Sequence, residues 1–304
     1  MINLYSLPQF LIALFAAPLL LGLINRTKAI CAGRKGQPLL QVYFDLAKLL
    51  RKEAVYSRTT TWIFRAGPMI SLAGLGVALL MVPWGGVPAT LAFSGDFVLV
   101  LYLLAIGRFF TIVAALDTGS SFEGMGASRE AFFSALTEPI VFAVLVTLVR
   151  LTGEMSLTDL YQQVTPILWT SSAAALILLV VIMLVLLLTE NSRIPVDDPT
   201  THLELTMIHE VMVLDHSGPD FAFILYGSSL KLWVFSALLA GLIVPVRSGN
   251  VLIDGPAFLS GMLVTSVAVG TVESTMARLR LLLVPRMLVG ATAIAAICIY
   301  LTLK

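Results

Sequence analysis

The sequence predicts an all-α integral membrane protein, with about eight transmembrane helices and one amphipathic helix on the membrane surface. Three observations carry that prediction. Hydrophobic residues make up 58% of the chain and charged residues only 12%, where soluble domains carry roughly 45–50% and about 25%. The apolar excess is gathered into long runs, one of which, Leu176–Leu188, has no polar residue at all. Basic residues fall almost entirely in alternate connections between those runs, the pattern of a chain that threads a bilayer back and forth.

A span needs roughly 20 mostly apolar residues. On that count the spans lie near 4–24, 64–83, 97–117, 131–150, 167–189, 221–245, 256–277 and 285–303. Pro83, Pro245 and Pro285 sit at span edges, where a missing backbone N–H costs little. The opening MINLYSLPQF has neither a basic start nor a small-residue cleavage site, so the first run is expected to be a retained helix. No repeat or soluble segment interrupts the series. Residues 1–304 are expected to form a single polytopic domain, with polar loops near 25–63, 117–130, 190–220 and 278–285.

Orientation follows from the basic residues. The first connection holds Arg26, Lys28, Arg34, Lys35, Lys48, Arg51, Lys52, Arg58 and Arg65, and the other odd connections add Arg129, Arg193, Arg278, Arg280 and Arg286. The even connections and the tail offer Arg150, Arg247 and Lys304. The odd connections are therefore expected in the cytoplasm and both termini on the other side. Within the first connection, Leu39, Val42, Leu46 and Leu49–Leu50 recur at helical spacing between Asp45, Lys48, Arg51 and Lys52. That pattern predicts a short helix lying on the lipid interface.

Several function classes are excluded. A net charge of +1 without a basic tract gives no reason to expect nucleic acid. Cys31 and Cys298 stand at opposite ends of the chain, so there is no C-x-x-C spacing for an iron–sulfur or structural zinc site. No nucleophile elbow, P-loop, dinucleotide fingerprint or zinc-hydrolase motif occurs, and no complete active site of its own is expected.

Ionisable residues at bilayer depth are expensive and point to function. Here they are Arg108, Glu138, Glu190, Lys231 and Glu273, with Asp117 at a span end. They read either as stations for protons or as buried ion pairs that fix helix packing, for example Glu273 with Arg280 two turns on. The proton reading is favoured for Glu138, which precedes the helix-loosening Pro139, and for Glu190.

Glu190–Asp220 is the polar exception in this apolar chain. Glu190 and Arg193 have the spacing to pair, and Pro195 stops the helix. Asp197, Asp198 and Thr200 could cap a new helix running through HLELTMIHEVMVLD. On it His202, His209 and His216 would share a stripe. A seven-residue step separates the rings by about 10 Å, too far for one metal ion, so they are expected as hydrogen-bonding groups near a docking surface or proton path. Phe122–Glu130 reads as a glycine-rich turn entering a helix, with Ser128 as its N-cap.

Four ordered stretches carry a family resemblance: RKGQPLLQVYFDLAKLLRKE (Arg34–Glu53), LDTGSSFEGMGASREAFFSALTEP (Leu116–Pro139), ENSRIPVDDP (Glu190–Pro199) and ESTMARLRL (Glu273–Leu281). The chain resembles the membrane subunit shared by respiratory complex I, the NADH–quinone oxidoreductase of bacteria, and the membrane-bound nickel–iron (NiFe) hydrogenases, formate hydrogenlyase among them. The resemblance implies a prokaryotic inner-membrane subunit that anchors hydrogenase-like large and small subunits and an iron–sulfur subunit. It also implies a link to antiporter-like membrane subunits through buried carboxylates. Glu138, Glu190, Asp197, Glu204 and Glu210 are the positions implied for the proton path, with Arg108, Asp117, Lys231, Glu273 and Arg280 as relay or ion-pair groups. The motifs place Arg34, Lys35, Asp45, Lys48, Glu53, Phe122, Arg129, Glu130 and Arg193 at the docking surface. Iron–sulfur clusters and the NiFe centre are expected in partner subunits, with no cofactor or metal held by this chain. Val196 stands where quinone-reducing members carry phenylalanine, and Thr200–His202 where they carry acids. These departures favour the hydrogenase branch and argue against a bound quinone, the alternative being a quinone-site subunit of a complex-I-like oxidoreductase.

Overall fold

The computed structural model describes residues 3–197 and 207–303. Its long helices are α1 (Leu7–Cys31), α3 (Trp62–Met81), α4 (Asp96–Asp117), α5 (Ser121–Thr152), α8 (Ala173–Glu190), α9 (Gly218–Ile243), α10 (Val251–Thr275) and α11 (Val284–Leu301), with α2 (Gln41–Leu50), α6 (Leu157–Gln162) and α7 (Pro166–Ser171) between them. All eight spans expected from the sequence are present, each long and apolar enough to cross a membrane. No strand occurs among the described residues.

Local chemistry explains where the helices begin and end. Prolines open α1, α9 and α11 within their first two positions, where no backbone donor is lost. The Thr61 hydroxyl accepts from Ile63 N to start α3, and the Asn250 side chain accepts from Leu252 N to start α10. Gly153 closes α5 in the left-handed conformation at φ +77°.

Two helices depart from expectation. The fourth span begins at Ser121, ten residues or so before the predicted start, and runs unbroken for 32 residues. Ser128 is therefore no N-cap; its hydroxyl donates to the Met125 carbonyl one turn back. The glycines of that stretch serve packing instead. A Cβ on Gly126 would lie 2.4 Å from Val211 Cγ1 and 2.9 Å from the Ile208 carbonyl oxygen, so only glycine lets the 207–213 segment rest on the helix. The fifth span is split, α7 being divided from α8 by a break at Ser172.

α9 is the central post. Of its apolar stretch 61% is buried inside the protein, against 17% for α4 on the periphery. Trp233 of α9 packs against Trp84, which stacks on Phe258 of α10. α2 lies on the flank of α9 and α1 with none of its residues buried. Its Leu50 and Phe44 are exposed, as an interfacial helix requires.

The two ends of the bundle are closed by different means. At the end away from the basic connections, Asp96 accepts from the Ser156 hydroxyl at 2.9 Å and Leu157 N at 2.7 Å. Arg247 donates to the carbonyls of Tyr161, Gly241, Val244 and Val246 at 2.7–2.8 Å. Asp254 accepts from Ser248 N and Gly249 N. Every one of these charges caps backbone. At the basic end, the Ser217 hydroxyl accepts from Val55 N at 2.9 Å, and Leu279 N donates to the Pro195 carbonyl at 2.9 Å. Gly218 abuts the Glu53 carbonyl there, with a φ of +55°.

Candidate functional site

The site is a charge cluster half-way through the bundle. Arg108 lies about 18 Å along α4 from its start, and Lys231 about 20 Å along α9, at 1.5 Å per residue. Between them sits Glu190, the last residue of α8. Its Oε2 accepts from Arg108 Nη2 at 2.6 Å and from Lys231 Nζ at 2.9 Å. α8 therefore ends level with the middle of α9, and the polar segment that follows starts inside the bundle rather than at its rim.

Arg108 reaches two more carboxylates, both from α5: Glu138 Oε1 at 3.4 Å and Glu130 Oε1 at 3.6 Å. Two cations and three carboxylates from four helices thus share one centre. Glu190 is 5% and Arg108 11% exposed at the side chain, whereas Glu138 is 56% exposed and stands at the outer edge. Ion pairs this far from water hold only if each charge keeps a partner.

The local pairings expected from spacing do not form. Glu190 ignores Arg193, whose Nη1 goes instead to Glu273 Oε1 at 3.3 Å. Glu273 in turn pairs with Lys28 Nζ of α1 at 2.8 Å, not with Arg280. The reason is geometric: α10 stops at Thr275 and Met276 is extended, so Arg280 is not on the helix face that carries Glu273. Asp117 is a cap rather than an ion-pair member, accepting from Thr61 N at 2.6 Å and from its hydroxyl at 3.0 Å.

Asp197 is buried and committed. Its Oδ1 meets Arg278 Nη2 at 2.7 Å, and its Oδ2 accepts from Ile208 N at 3.0 Å and His209 N at 3.3 Å. Those two N–H groups are thus bonded to Asp197 and not within a helix. Over the described part of the segment only one 3-10 turn forms, Glu210–Val213, opened by Glu210. Glu204, with Asp198, Thr200 and His202, lies outside the described residues.

The histidine stripe is consequently absent over that part. His216 stacks on Phe64 with ring centroids 3.9 Å apart and planes 9° from parallel. Burial pulls its pKa down to about 4. His209 is also pushed down by burial, against the opposing pull of the Glu130 carboxylate. Among the described residues no group of three or more metal-type side chains comes together.

Of the expected docking residues, Arg34, Lys35, Asp45, Lys48, Glu53 and Phe122 are exposed at the basic end. Arg129, Glu130 and Arg193 are turned inward. Arg129 Nη1 donates to the Met207 carbonyl at 2.8 Å, while Glu130 and Arg193 belong to the ion pairs above. Reading α5 from Ser121 would have placed Glu130 two turns before Glu138 and shown it as a cluster member. Glu123, 1% exposed, was also missed; it accepts from Asp215 N at 3.1 Å and ties the polar segment to α5.

Two cavities flank the cluster. One, of about 90 Å³, is lined by Arg108, Glu130, Glu190, Asn191, His209, His216 and Lys231 among others. The second, of about 190 Å³, is lined mainly by apolar side chains such as Tyr102, Phe142 and Phe235, together with Arg108, Glu138 and Glu190. The Arg108–Glu190 pair belongs to both walls and is the partition between them. Chemically, the arrangement offers carboxylates that can exchange cationic partners and protons at a point with a cavity on either side.

Comparison with known proteins places this geometry. The family described as NADH dehydrogenase matches residues 5–303. The chain is 30% identical over 290 residues to formate hydrogenlyase subunit 4 of Escherichia coli K12, covering 93% of each chain. It is 28% identical over 287 residues to hydrogenase-4 component C of the same organism, covering 92% of this chain and 89% of that one. Against a subunit of the NADH-quinone oxidoreductase of Bordetella avium it is 26% identical over 217 residues, 68% of this chain and 59% of the other. A chain in the structure of the membrane-bound sulfane sulfur reductase, an archaeal respiratory membrane complex, superposes with a TM-score of 0.82, covering 98% of both chains at 18% identity. That last likeness is one of fold.

Proposed function

The chain belongs to the NADH dehydrogenase family and is a multi-pass membrane subunit of an energy-converting hydrogenase-type complex; on that premise we propose that it anchors the peripheral redox arm and couples electron transfer to proton translocation. In this reading the odd connections face the cytoplasm and both termini the opposite side. The exposed residues Arg34, Lys35, Asp45, Lys48, Glu53 and Phe122 receive the hydrogenase-like large and small subunits, and antiporter-like subunits lie alongside in the membrane. The iron–sulfur clusters and NiFe centre belong to those partners.

One observation carries the coupling role: Glu190 is held mid-bundle between Arg108 and Lys231, on a partition with a cavity to either side. A carboxylate held by two cations is ionised. Draw one cation away and the burial of the remaining pair favours taking up a proton. A change of position in the neighbouring segment would thereby become a change of protonation. The expected outcome is that Glu190→Gln or Glu138→Gln abolishes proton translocation by the complex reconstituted in vesicles, while the detached soluble arm keeps its redox activity. Translocation at the wild-type level in both variants would sink the proposal.

The quinone-site reading asks for more room. Ligand pockets begin at roughly 300 Å³, above the two cavities of about 90 and 190 Å³, so a quinone head group would need walls from a partner subunit. Quinone extracted from the purified complex, or inhibition by quinone-site compounds, would favour that reading.

A further inference from the structure

Arg108 is offered more acceptors than it uses. Its Nη2 makes a short contact to Glu190 Oε2 at 2.6 Å, and Nη1 reaches Glu138 Oε1 at 3.4 Å. Nε faces Glu130 Oε1 at 3.6 Å, within ion-pair range but too far for a hydrogen bond. Nε makes no hydrogen bond at all, although it is buried. An unpaired buried donor is costly, and a small movement of the guanidinium toward Glu130 would pair it. Lys231 has no such choice, since among the described residues its one ion pair is with Glu190. If a cation leaves Glu190, Arg108 is the one with somewhere to go.

We infer that Glu130 is the acceptor that takes Arg108 when the Arg108–Glu190 contact opens, and that the 207–216 segment controls this exchange. The inference rests on the proton-coupling reading above and adds a positioning residue to it, one that acts on Glu190 through Arg108. Glu123, Gly126 and Glu130 stand at i, i+3 and i+7 and so share one face of α5. Glu123 accepts from Asp215 N at 3.1 Å, and Gly126 lies against Val211 and the Ile208 carbonyl. Next to Glu130, Arg129 Nη1 donates to the Met207 carbonyl at 2.8 Å. The segment is thus laid along the α5 face that leads to Glu130, and its displacement reaches Arg108 through that residue. Glu130 also shares the lining of the cavity of about 90 Å³ with His209, Met212 and His216 of the segment. Glu138 stands about 12 Å farther along α5. It borders the other cavity, whose lining includes no residue of the segment.

The step balances with one proton and no further reactant. With Arg108 on Glu190, the carboxylate is ionised and holds two cations. With Arg108 on Glu130, one positive charge has left Glu190, and a proton bonds to the carboxylate in its place. When Arg108 returns, that O–H bond breaks and the proton departs. One positive charge replaces another at each stage, so a full cycle takes up and releases one proton.

The test measures protons moved per electron in the reconstituted complex for wild type, Glu130→Gln, Glu130→Asp and Glu190→Gln. Infrared difference spectra between the oxidised and reduced complex are recorded alongside. Glu130→Gln keeps the size of the side chain and removes the charge that would hold Arg108; Glu130→Asp keeps the charge. The expected result is loss of translocation in Glu130→Gln and its partial return in Glu130→Asp. Wild type should also show a protonated-carboxyl band that Glu130→Gln and Glu190→Gln both lack. A wild-type ratio in Glu130→Gln would overturn the inference, while a dead Glu190→Gln kept the coupling reading standing. The band persisting in Glu130→Gln, or an equal loss in Glu130→Asp, overturns it too. A fully coupled Glu190→Gln would strike the coupling reading itself. Should Glu130→Gln not assemble, electron-microscopy maps of the wild-type complex in both redox states decide. Arg108 closer to Glu130 than to Glu190 in one state supports the inference, and the short Arg108–Glu190 contact kept in both overturns it.

Discussion

The charged residues at one end of the bundle and those of the mid-bundle cluster are used in opposite ways. At the end away from the basic connections, Asp96, Asp254 and Arg247 are matched with fixed backbone groups, and Arg247 alone caps four carbonyls. In the mid-bundle cluster, charges face charges: Arg108 is shared by three carboxylates and Glu190 by two cations. A side chain bonded to backbone has one good arrangement. A cation surrounded by competing carboxylates can trade one for another. The first set has one arrangement, and the proposed coupling role rests on the second set exchanging partners.

That contrast can be broken by mutation. Arg108→Leu leaves Glu190 with Lys231 alone and takes the cation from Glu130 and Glu138, and removing one partner from a buried ion pair costs up to about 3–5 kcal/mol; the purified protein should lose thermal stability and the complex should assemble poorly. Arg247→Ala gives up hydrogen bonds to four carbonyls and should cost about 2–3 kcal/mol in the same assay. Yet the complex that does assemble should move wild-type numbers of protons per electron, and a coupling defect there would erase the distinction between the two sets.

Gly126→Ala is a gentler probe, since it forces a methyl group against Val211 and the Ile208 carbonyl. It should cost about 1–3 kcal/mol and loosen the 207–213 segment, seen as faster backbone hydrogen exchange there.

The smallest effect is a slope with pH. His216 titrates near 4 in the folded protein against an ordinary 6.5, so between those values the unfolded chain binds a proton that the folded ring refuses. Stability contributed by the neutral ring is complete above 6.5 and is lost as pH falls toward 4. His209 adds to the same slope. The unfolding midpoint in detergent should therefore fall across that window, less steeply in His216→Phe, and an unchanged slope in that variant would remove His216 as its source.

The membrane spans could be read from sequence because lipid imposes one rule on every segment, roughly 20 apolar residues with all backbone bonds internal. Two of the four motifs supply Glu130, Glu138 and Glu190 to the cluster and a third supplies Glu273 to a second set of ion pairs, whereas the charges of Arg34–Glu53 are exposed at the basic end. What could not be read was pairing. Spacing rules see Glu190 beside Arg193 and Glu273 two turns before Arg280, but Glu190 meets Arg108 and Lys231, and Glu273 meets Lys28 and Arg193. Such partners are set by packing between helices, which a single sequence does not display. The start of α5 was hidden by its glycines, normally turn formers, which here admit a neighbouring segment. Over the described part of the helix expected after Asp197, the N–H groups of Ile208 and His209 go to Asp197, a partner that spacing rules do not see.

Arg193, anchored to Glu273, stands three residues beyond Glu190, and Asp197, anchored to Arg278, four further on. Three residues span at most about 11 Å, and this stretch has a fixed grip at each end. Movement of α10 or of the segment that carries Arg278 would reach the carboxylate between Arg108 and Lys231 through these few residues alone. A shift of an ångström there stretches the 2.6 Å contact between Arg108 and Glu190 beyond hydrogen-bonding distance.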